Sequence, residues 1–500
     1  MRNIVLFGSN TSRKNNGLKD GLAQYANVTN LSLSNSTSLQ SLYELNRQKN
    51  QEMLLKADLF VVEANLNEIL QHNNDYEKLS LKIILRNMQW FYESLYRYNK
   101  PVCILILPSF KEDAQKISNM HRYFANFYGY CVIDIHEECE RNDYIDFGTK
   151  FEKFNIGGGI LKSLAKNIAK NIDFFPKPKQ NVIGCKLPDF KIITPRDIGQ
   201  YGYFKIYNPA DSNYNEEIFR LEKNYLSLDG FEGYNIIGLH SWNLNKDGKK
   251  EKISSKKCFS IDIGNDTHKI KKCMPNANRF CEIQEEIKIK NNFMIIANKS
   301  YIKNTEFYHK AVSVGKKEYP KYFDIISLFL CSKCDENSII TPSRIPNEKV
   351  EIEKNFDFSH LIPDLEFYNK SMEFIDEYIQ CLYPSIKEYI GTPIPAPKPS
   401  VNSQFSAVNI VKNHLSYKLG IELYGHSSYL KLLFIFIKLS ISHKIMLKYA
   451  KKHPAIKSLP DYKEALKIQN SKEYKFGLAI LKGFKEWHRG GVFNLIKKSK

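Results

Sequence analysis

The sequence has no long apolar run: no stretch approaches the ~20 consecutive apolar residues that a membrane-spanning helix needs. No export leader is evident either, because after Met1 and Arg2 only Ile4, Val5, Leu6 and Phe7 are apolar before Gly8 and polar sequence. The ten cysteines are scattered. Cys331 and Cys334 make one CxxC, but the second pair that a structural zinc site requires does not follow. Reduced thiols in a cytosol and no metal are the expectation. Acidic residues are scarce at the C-terminal end, where residues 401–500 hold 19 Lys and Arg against 5 Asp and Glu. That segment therefore carries 14 of the net charge of +19. Such a segment suits an anionic surface, membrane lipid or nucleic acid, or is simply a solvated helical face. Nucleic acid is disfavoured, since no DNA-binding motif or aromatic-interleaved groove accompanies the lysines.

What is present is foldable. An apolar fraction of 43% argues for packed cores, and 500 residues for two to four domains. Residues 1–175 alternate between two periods. Apolar β-type runs ("NIVLF", "VTNLSL", "ADLFVVEAN", "KPVCILIL", "YCVIDI") are separated by helix-length stretches such as "YEKLSLKIILRNMQWFYESLYRY". Near-continuous apolar strands imply a mostly parallel sheet covered on both faces, a three-layer α/β domain. Ligands in such sheets sit at the carboxyl ends of the strands, here Gly8–Ser12, Ser34–Ser38, Asn65–Glu68 and Asp134–Glu137.

"FFPKPKQ" reads as a linker. Residues 181–345 follow with short β-like runs broken by Gly, Asn and Asp, which predicts a β-rich domain. Residues 346–390 read as a helical connector, "GTPIPAPKPS" as a second linker, and 401–500 as a basic helical tail. The tail contains a repeat, "HLSYKLGIEL" returning as "SKEYKFGLAI". Between the copies, "YLKLLFIFIKLSISHKIMLKYAKKH" is too short and too charged to span a bilayer, and suits an interfacial helix or a buried hairpin.

The first domain resembles the SGNH (GDSL-like) hydrolases, in the variant found among bacterial capsule and lipooligosaccharide gene products. The features that carry this are a first strand ending in "FGSNTS", a second followed by "SLSNSTSLQSLYEL" and a third ending in "EANLNE". The "YKLG" repeat is similar to tails of sugar transferases from Campylobacter-type capsule loci, whose relatives include proteins thought to place O-methyl phosphoramidate groups. The resemblance covers roughly the first third and last fifth of the chain. It implies a nucleophile turn at Gly8, with Asn10 where the serine belongs and Ser9 and Ser12 beside it. It implies an oxyanion donor at Ser34 or Asn35 and another at Asn67. The late Asp-x-x-His pair has no histidine in "NDYIDFGTKFEKFNIGGG"; Asp146 and His136 are the nearest substitutes.

Asparagine cannot open an acyl bond as serine does. The reading that follows is a transferase modifying capsular polysaccharide or lipooligosaccharide sugars, cytoplasmic and peripheral at the inner membrane. Ser9, Asn10, Asn67, His136 and Asp146 are its candidate catalytic residues, with Gly8, Ser12, Arg13, Ser34 and Asn35 around the substrate. It would hold no permanent cofactor, would draw on a nucleotide-activated donor, and would meet a polysaccharide or lipid-linked oligosaccharide and an anionic membrane. Two alternatives stand beside it: a pseudo-enzyme that binds carbohydrate or acts as scaffold, and an acyl esterase or acyltransferase using Ser9. Elsewhere, "FNIGGGI" reads as a helix-start turn, and "DIGNDTHK" (Asp262, Asp266, His268) as a turn in preference to a cation site. "GLHSW" suits a core Trp or a glycan-stacking one, and "EWHRGG" an interfacial anchor.

Overall fold

The computed structural model describes residues 1–371 apart from short internal segments, 407–423 apart from residue 413, and 461–485. The chain divides into two compact units, Met1–Pro384 and Ser385–Lys500.

The first unit opens with the expected α/β fold. Strands β1 (Arg2–Gly8), β2 (Ala26–Asn30), β3 (Leu59–Glu63), β4 (Val102–Ile106) and β5 (Cys131–Asp134) form one parallel sheet in the order β2-β1-β3-β4-β5. Alternate residues of β1 serve opposite faces: Ile4 and Leu6 belong to one core, Val5 and Phe7 to the other. Helices α1 (Leu18–Leu22) and α9 (Gly158–Lys170) cover the first face. The second is covered by α2 (Ser38–Asn46), α5 (Leu81–Tyr96) and α6 (Ala114–Tyr128). Local chemistry sets these boundaries. Thr37 and Ser80 cap α2 and α5 by accepting from Leu39 N and Ile83 N, and Gly129, at φ 76°, ends α6 in the left-handed region.

The outer faces of α2 and α5 do not meet solvent. They pack on a second sheet of order β13-β10-β16-β8-β7, built from β7 (Lys205–Tyr207), β8 (Ile218–Leu221), β10 (Asn235–Trp242), β13 (Asn278–Glu282) and β16 (Phe323–Cys331). β6 (Phe190–Ile193) also pairs with β16. Ile237, Phe280, Ile326 and Phe329 share one core with Tyr43 and Trp90 of the helices. The opposite face, with Leu239, Ile325, Leu328 and Leu330, packs on a third sheet of order β15-β12-β11-β14-β9. Its strands are β9 (Tyr225–Ser227), β11 (Phe259–Gly264), β12 (Lys269–Met274), β14 (Met294–Ala297) and β15 (Glu306–Phe307). The β-rich region is thus a two-sheet sandwich whose inner sheet doubles as a lid on the helices. Buried ion pairs are sealed in it: Arg220 meets Asp324 through Nε–Oδ1 at 2.7 Å and Nη2–Oδ2 at 2.8 Å, and Lys272 meets Glu306 at 2.7 Å.

Cys258 and Cys273 meet at the start of the β11–β12 hairpin, with Cα atoms 5.9 Å apart, within disulfide range. Cys103, Cys131, Cys139, Cys185, Cys281 and Cys331 are outside any disulfide; Cys334 lies outside the described residues. The "DIGNDTHK" stretch is a turn in which the Asn265 side chain accepts from the backbone of Thr267 and His268; His268 pairs with Glu285, and Asp266 is not described.

In the second unit, the sequence repeat is a structural repeat. Each copy is a helix preceded by a shorter one: α10 (Ala407–Lys412) with α11 (Leu415–Leu423), then α12 (Tyr462–Gln469) with α13 (Lys472–Lys485). Ala407, Val411 and Ala465 form their shared core, Asp461 accepts from the N–H groups of Ala407 and Val408, and Tyr474 bonds His414. The apolar stretch between the copies and "EWHRGG" lie outside the described residues. No helix among the described residues is long and apolar enough to cross a membrane.

Candidate functional site

The carboxyl edge of the parallel sheet gathers the turn after β1, the 32–38 segment after β2 and the end of β3. Gly8 pairs with Glu63 across β1 and β3. Only glycine fits there, because a Cβ would stand 2.3 Å from Ser12 Oγ and 2.7 Å from the Glu63 carbonyl oxygen. Ser9 is fully buried. Its N–H donates to Glu63 Oε2 at 3.3 Å, and its Oγ accepts the N–H of Ser36 at 3.0 Å.

Asn10, at the position the resemblance gives to the nucleophile, forms a reciprocal amide pair with Asn35. Asn10 Nδ2 donates to Asn35 Oδ1 at 2.6 Å, and the backbone N–H of Asn35 donates to Asn10 Oδ1 at 3.2 Å. Asn35 sits at φ 59°, a left-handed conformation that glycine or asparagine tolerates. One of the two backbone donors predicted to serve an oxyanion, that of Asn35, is therefore held by the side chain that replaces the serine. Ser34 is half-buried in the same turn.

Glu63 is the chemical centre of this edge. Its Oε2 takes the Ser12 hydroxyl at 3.0 Å as well as Ser9 N–H, while Oε1 is buried without a partner in the protein. Burial raises its carboxyl to about 7 against these hydrogen bonds. Sequence reasoning passed over Glu63 because it is the last residue of an apolar strand, where a charge reads as the strand's end.

The remaining candidates are dispersed. Arg13 reaches back to the Ser32 carbonyl at 3.2 Å and pairs with Asp211 of the β-rich region at 3.1 Å. Asn67 is buried in α4 (Asn65–His72). Asn65, two residues earlier, makes the edge contact instead, exchanging two bonds with the backbone of Leu107 after β4, at 2.8 and 3.1 Å. His136 is buried in α7 (Ile135–Arg141), its ring tilted against Phe110 at 5.0 Å, with Nε2 3.3 Å from Glu140 and Nδ1 unpartnered. Burial lowers its pKa, so it is neutral at pH 7. Asp146 is exposed in the first turn of α8 (Ile145–Phe154). Among the described residues, no hydrogen bond or ion pair joins His136 or Asp146 to the Gly8–Ser12 turn.

A second buried chain of polar groups lies behind the edge and was not foreseen. Glu68 accepts from the N–H and hydroxyl of Ser38 and meets His121 Nε2 at 2.7 Å; His121 Nδ1 meets the Tyr92 hydroxyl at 2.6 Å. Separations of 30 and 53 residues hide it from any local reading. Its groups satisfy one another, as buried networks must. No cluster of His, Cys, Asp and Glu able to hold a metal occurs among the described residues.

Comparison with known proteins adds little chemistry. Residues 344–500 match a family described as "Domain of unknown function (DUF8374)". No curated protein matches the chain. Among solved structures, the chain is similar to an alpha/beta hydrolase enzyme from the metagenome of Lake Arreo, Spain, at 13% identity and a TM-score of 0.28, over 34% of this chain and 95% of that one. It is also similar to an acetyl xylan esterase, at 14% identity and a TM-score of 0.24, over 28% and 83% of the two chains. A GDSL-like lipase from Parabacteroides merdae gives 10% identity and a TM-score of 0.25, over 34% and 96%. Scores this low leave the α/β class resting on the parallel sheet itself: five strands in the order β2-β1-β3-β4-β5 with helices on both faces.

Proposed function

We propose that the N-terminal α/β layer is a hydrolase-like scaffold that no longer hydrolyses, and that the protein recognises carbohydrate in the assembly of a surface polysaccharide. The observation that carries this is the Asn10–Asn35 pair. One side chain removes the nucleophile and also satisfies the N–H that would stabilise an oxyanion. Ser9 offers no replacement, since its hydroxyl is fully buried and accepts from Ser36, with no histidine bonded to it among the described residues. The basic tail, with 14 of the net +19 charges, is the part suited to an anionic membrane surface.

A second reading is group transfer onto a capsular or lipooligosaccharide sugar. Glu63 favours it, because a carboxyl titrating near 7 can take a proton from a sugar hydroxyl at neutral pH. One experiment separates the readings. The purified protein is treated with a serine-reactive fluorophosphonate, then incubated with capsular oligosaccharides, with and without nucleotide-activated donors, under mass spectrometry. The proposal expects no label, unchanged oligosaccharide mass and retained glycan. A gain of mass abolished by Glu63→Gln would establish transfer; labelling of Ser9 or a loss of mass would establish an esterase.

A further inference from the structure

A cavity of about 310 Å³ lies between α5 and the edge of the second sheet, and none of the residues discussed at the Gly8 turn lines it. Its walls include Lys82, Arg86 and Trp90 from α5, Asn235 at the start of β10, and Lys333 just after β16. We propose that this cavity binds one anionic sugar unit, a hexose-sized ring carrying a carboxylate or a phosphate. The inference rests on the carbohydrate-recognition reading above and gives it a location and a ligand charge.

Two wall residues carry buried polar atoms with no partner in the protein: the indole N–H of Trp90, a side chain only 1% exposed, and Oδ1 of Asn235. The Asn235 amide is oriented by its other end, since Nδ2 donates to Glu286 at 3.2 Å. Two residues of the cavity wall thus carry one unsatisfied donor and one unsatisfied acceptor, which a small side-chain shift would bring to the cavity surface. A hydroxyl both donates and accepts, so a polyhydroxylated ring satisfies either atom, whereas an apolar ligand leaves both desolvated and unpaired. The Arg86 guanidinium lies over the Trp90 ring at 4.7 Å and is directed by Asn87 Oδ1 at 3.1 Å, which gives the wall a rigid cationic face.

Charge at the rim decides the ligand's sign. Glu285 is engaged by His268 at 2.6 Å and Glu286 by Asn235. Lys82 and Lys333 are exposed and make no ion pair among the described residues. With Lys82, Arg86 and Lys333 against Glu285 and Glu286, the described lining is net positive by one charge. The volume stands at the lower end of ligand cavities, which run from roughly 300 Å³ upward, and suits one ring better than an extended chain.

The test is calorimetric titration of the full chain with a glucuronate-containing disaccharide, glucose 1-phosphate and a neutral glucose disaccharide. Wild-type protein is expected to bind an acidic probe and to bind the neutral one at least about tenfold more weakly, the scale set by one charge-assisted hydrogen bond. The exposed pair Lys82→Ser and Lys333→Ser, which leaves the core untouched, is expected to weaken the acidic probe by about tenfold or more. Trp90→Phe keeps the ring and removes the N–H, and should weaken binding with the lysines intact. Preference for glucuronate points to polymer as the source, and preference for the phosphate to a free sugar phosphate. Acidic saccharide bound equally by wild type and both variants would overturn the location while leaving carbohydrate recognition standing. Equal binding of the neutral disaccharide would overturn the anionic assignment, and no binding of any saccharide would overturn both this inference and the reading beneath it.

Discussion

Replacing Glu63 by glutamine should change how stability depends on pH, and the structure fixes both sign and size. The carboxyl is fully buried, with two hydrogen bonds on Oε2 and none on Oε1, and burial raises its pKa from 4.5 to about 7. The folded protein therefore holds this proton more tightly than the unfolded chain. The stability it contributes is complete below pH 4.5 and is lost as pH rises through about 7. A rise of that size corresponds to about 3 kcal/mol between the two limits. Glu63→Gln keeps the shape and an acceptor for Ser9 and Ser12 but cannot titrate. The unfolding free energy of the wild type, minus that of Glu63→Gln, should therefore fall by about 3 kcal/mol from acid to mildly alkaline pH. Chemical denaturation followed by far-ultraviolet ellipticity at a series of pH values measures this difference. Contributions from other buried carboxyls, such as Glu44 and Asp324, cancel in it. A difference flat with pH, or one that grows as pH rises, would refute the reasoning.

Further substitutions test the packing that holds the edge and the sandwich. Gly8→Ala places a Cβ 2.7 Å from a backbone oxygen that cannot rotate away, and should cost about 1–3 kcal/mol of unfolding free energy. Gly159→Ala, where nothing lies within 4 Å, should be neutral or slightly stabilising in the same denaturation assay, and equal losses at both would contradict the clash. Arg220→Met strands the buried Asp324 carboxylate and should lower stability by about 3–5 kcal/mol. Adding Asp324→Leu should recover most of that in the same measurement, and a double variant as weak as the single one would show that packing, not charge, sets the loss.

The central strands were legible because a sheet covered on both faces writes itself as unbroken apolar runs, as in "LFVVE" and "VCILI". The edge strand β2 was read too late in "VTNLSL". The structure ends it at Asn30, and Leu31 and Leu33 are buried in the connection to α2. Helix α5 was legible as amphipathic, but not as buried on its polar side. Asn87, Gln89 and Glu93 are buried, with Gln89 bonded to the backbone at Ser338 and Ile340 and Glu93 accepting from the Tyr128 hydroxyl and the Cys185 N–H. At the site, Asn10 in place of serine could be read directly. Its pairing with Asn35 could not, because that requires β1 and β2 to be neighbours and Asn35 to be left-handed. Asn67 is the asparagine that the resemblance indicates, whereas Asn65 is the one that bonds the backbone after β4. Where α4 begins decides which amide reaches the backbone after β4.

The lid over α2 and α5 has a consequence for how this chain must be made. Synthesis delivers the parallel sheet and its helices well before β10 and β16, the strands that cover Tyr43, Trp90 and their neighbours. Until those strands leave the ribosome, the nascent sheet exposes a broad aromatic flank, the kind of surface that recruits chaperones or aggregates. Premature termination anywhere in the intervening stretch should yield insoluble fragments, not a working N-terminal half.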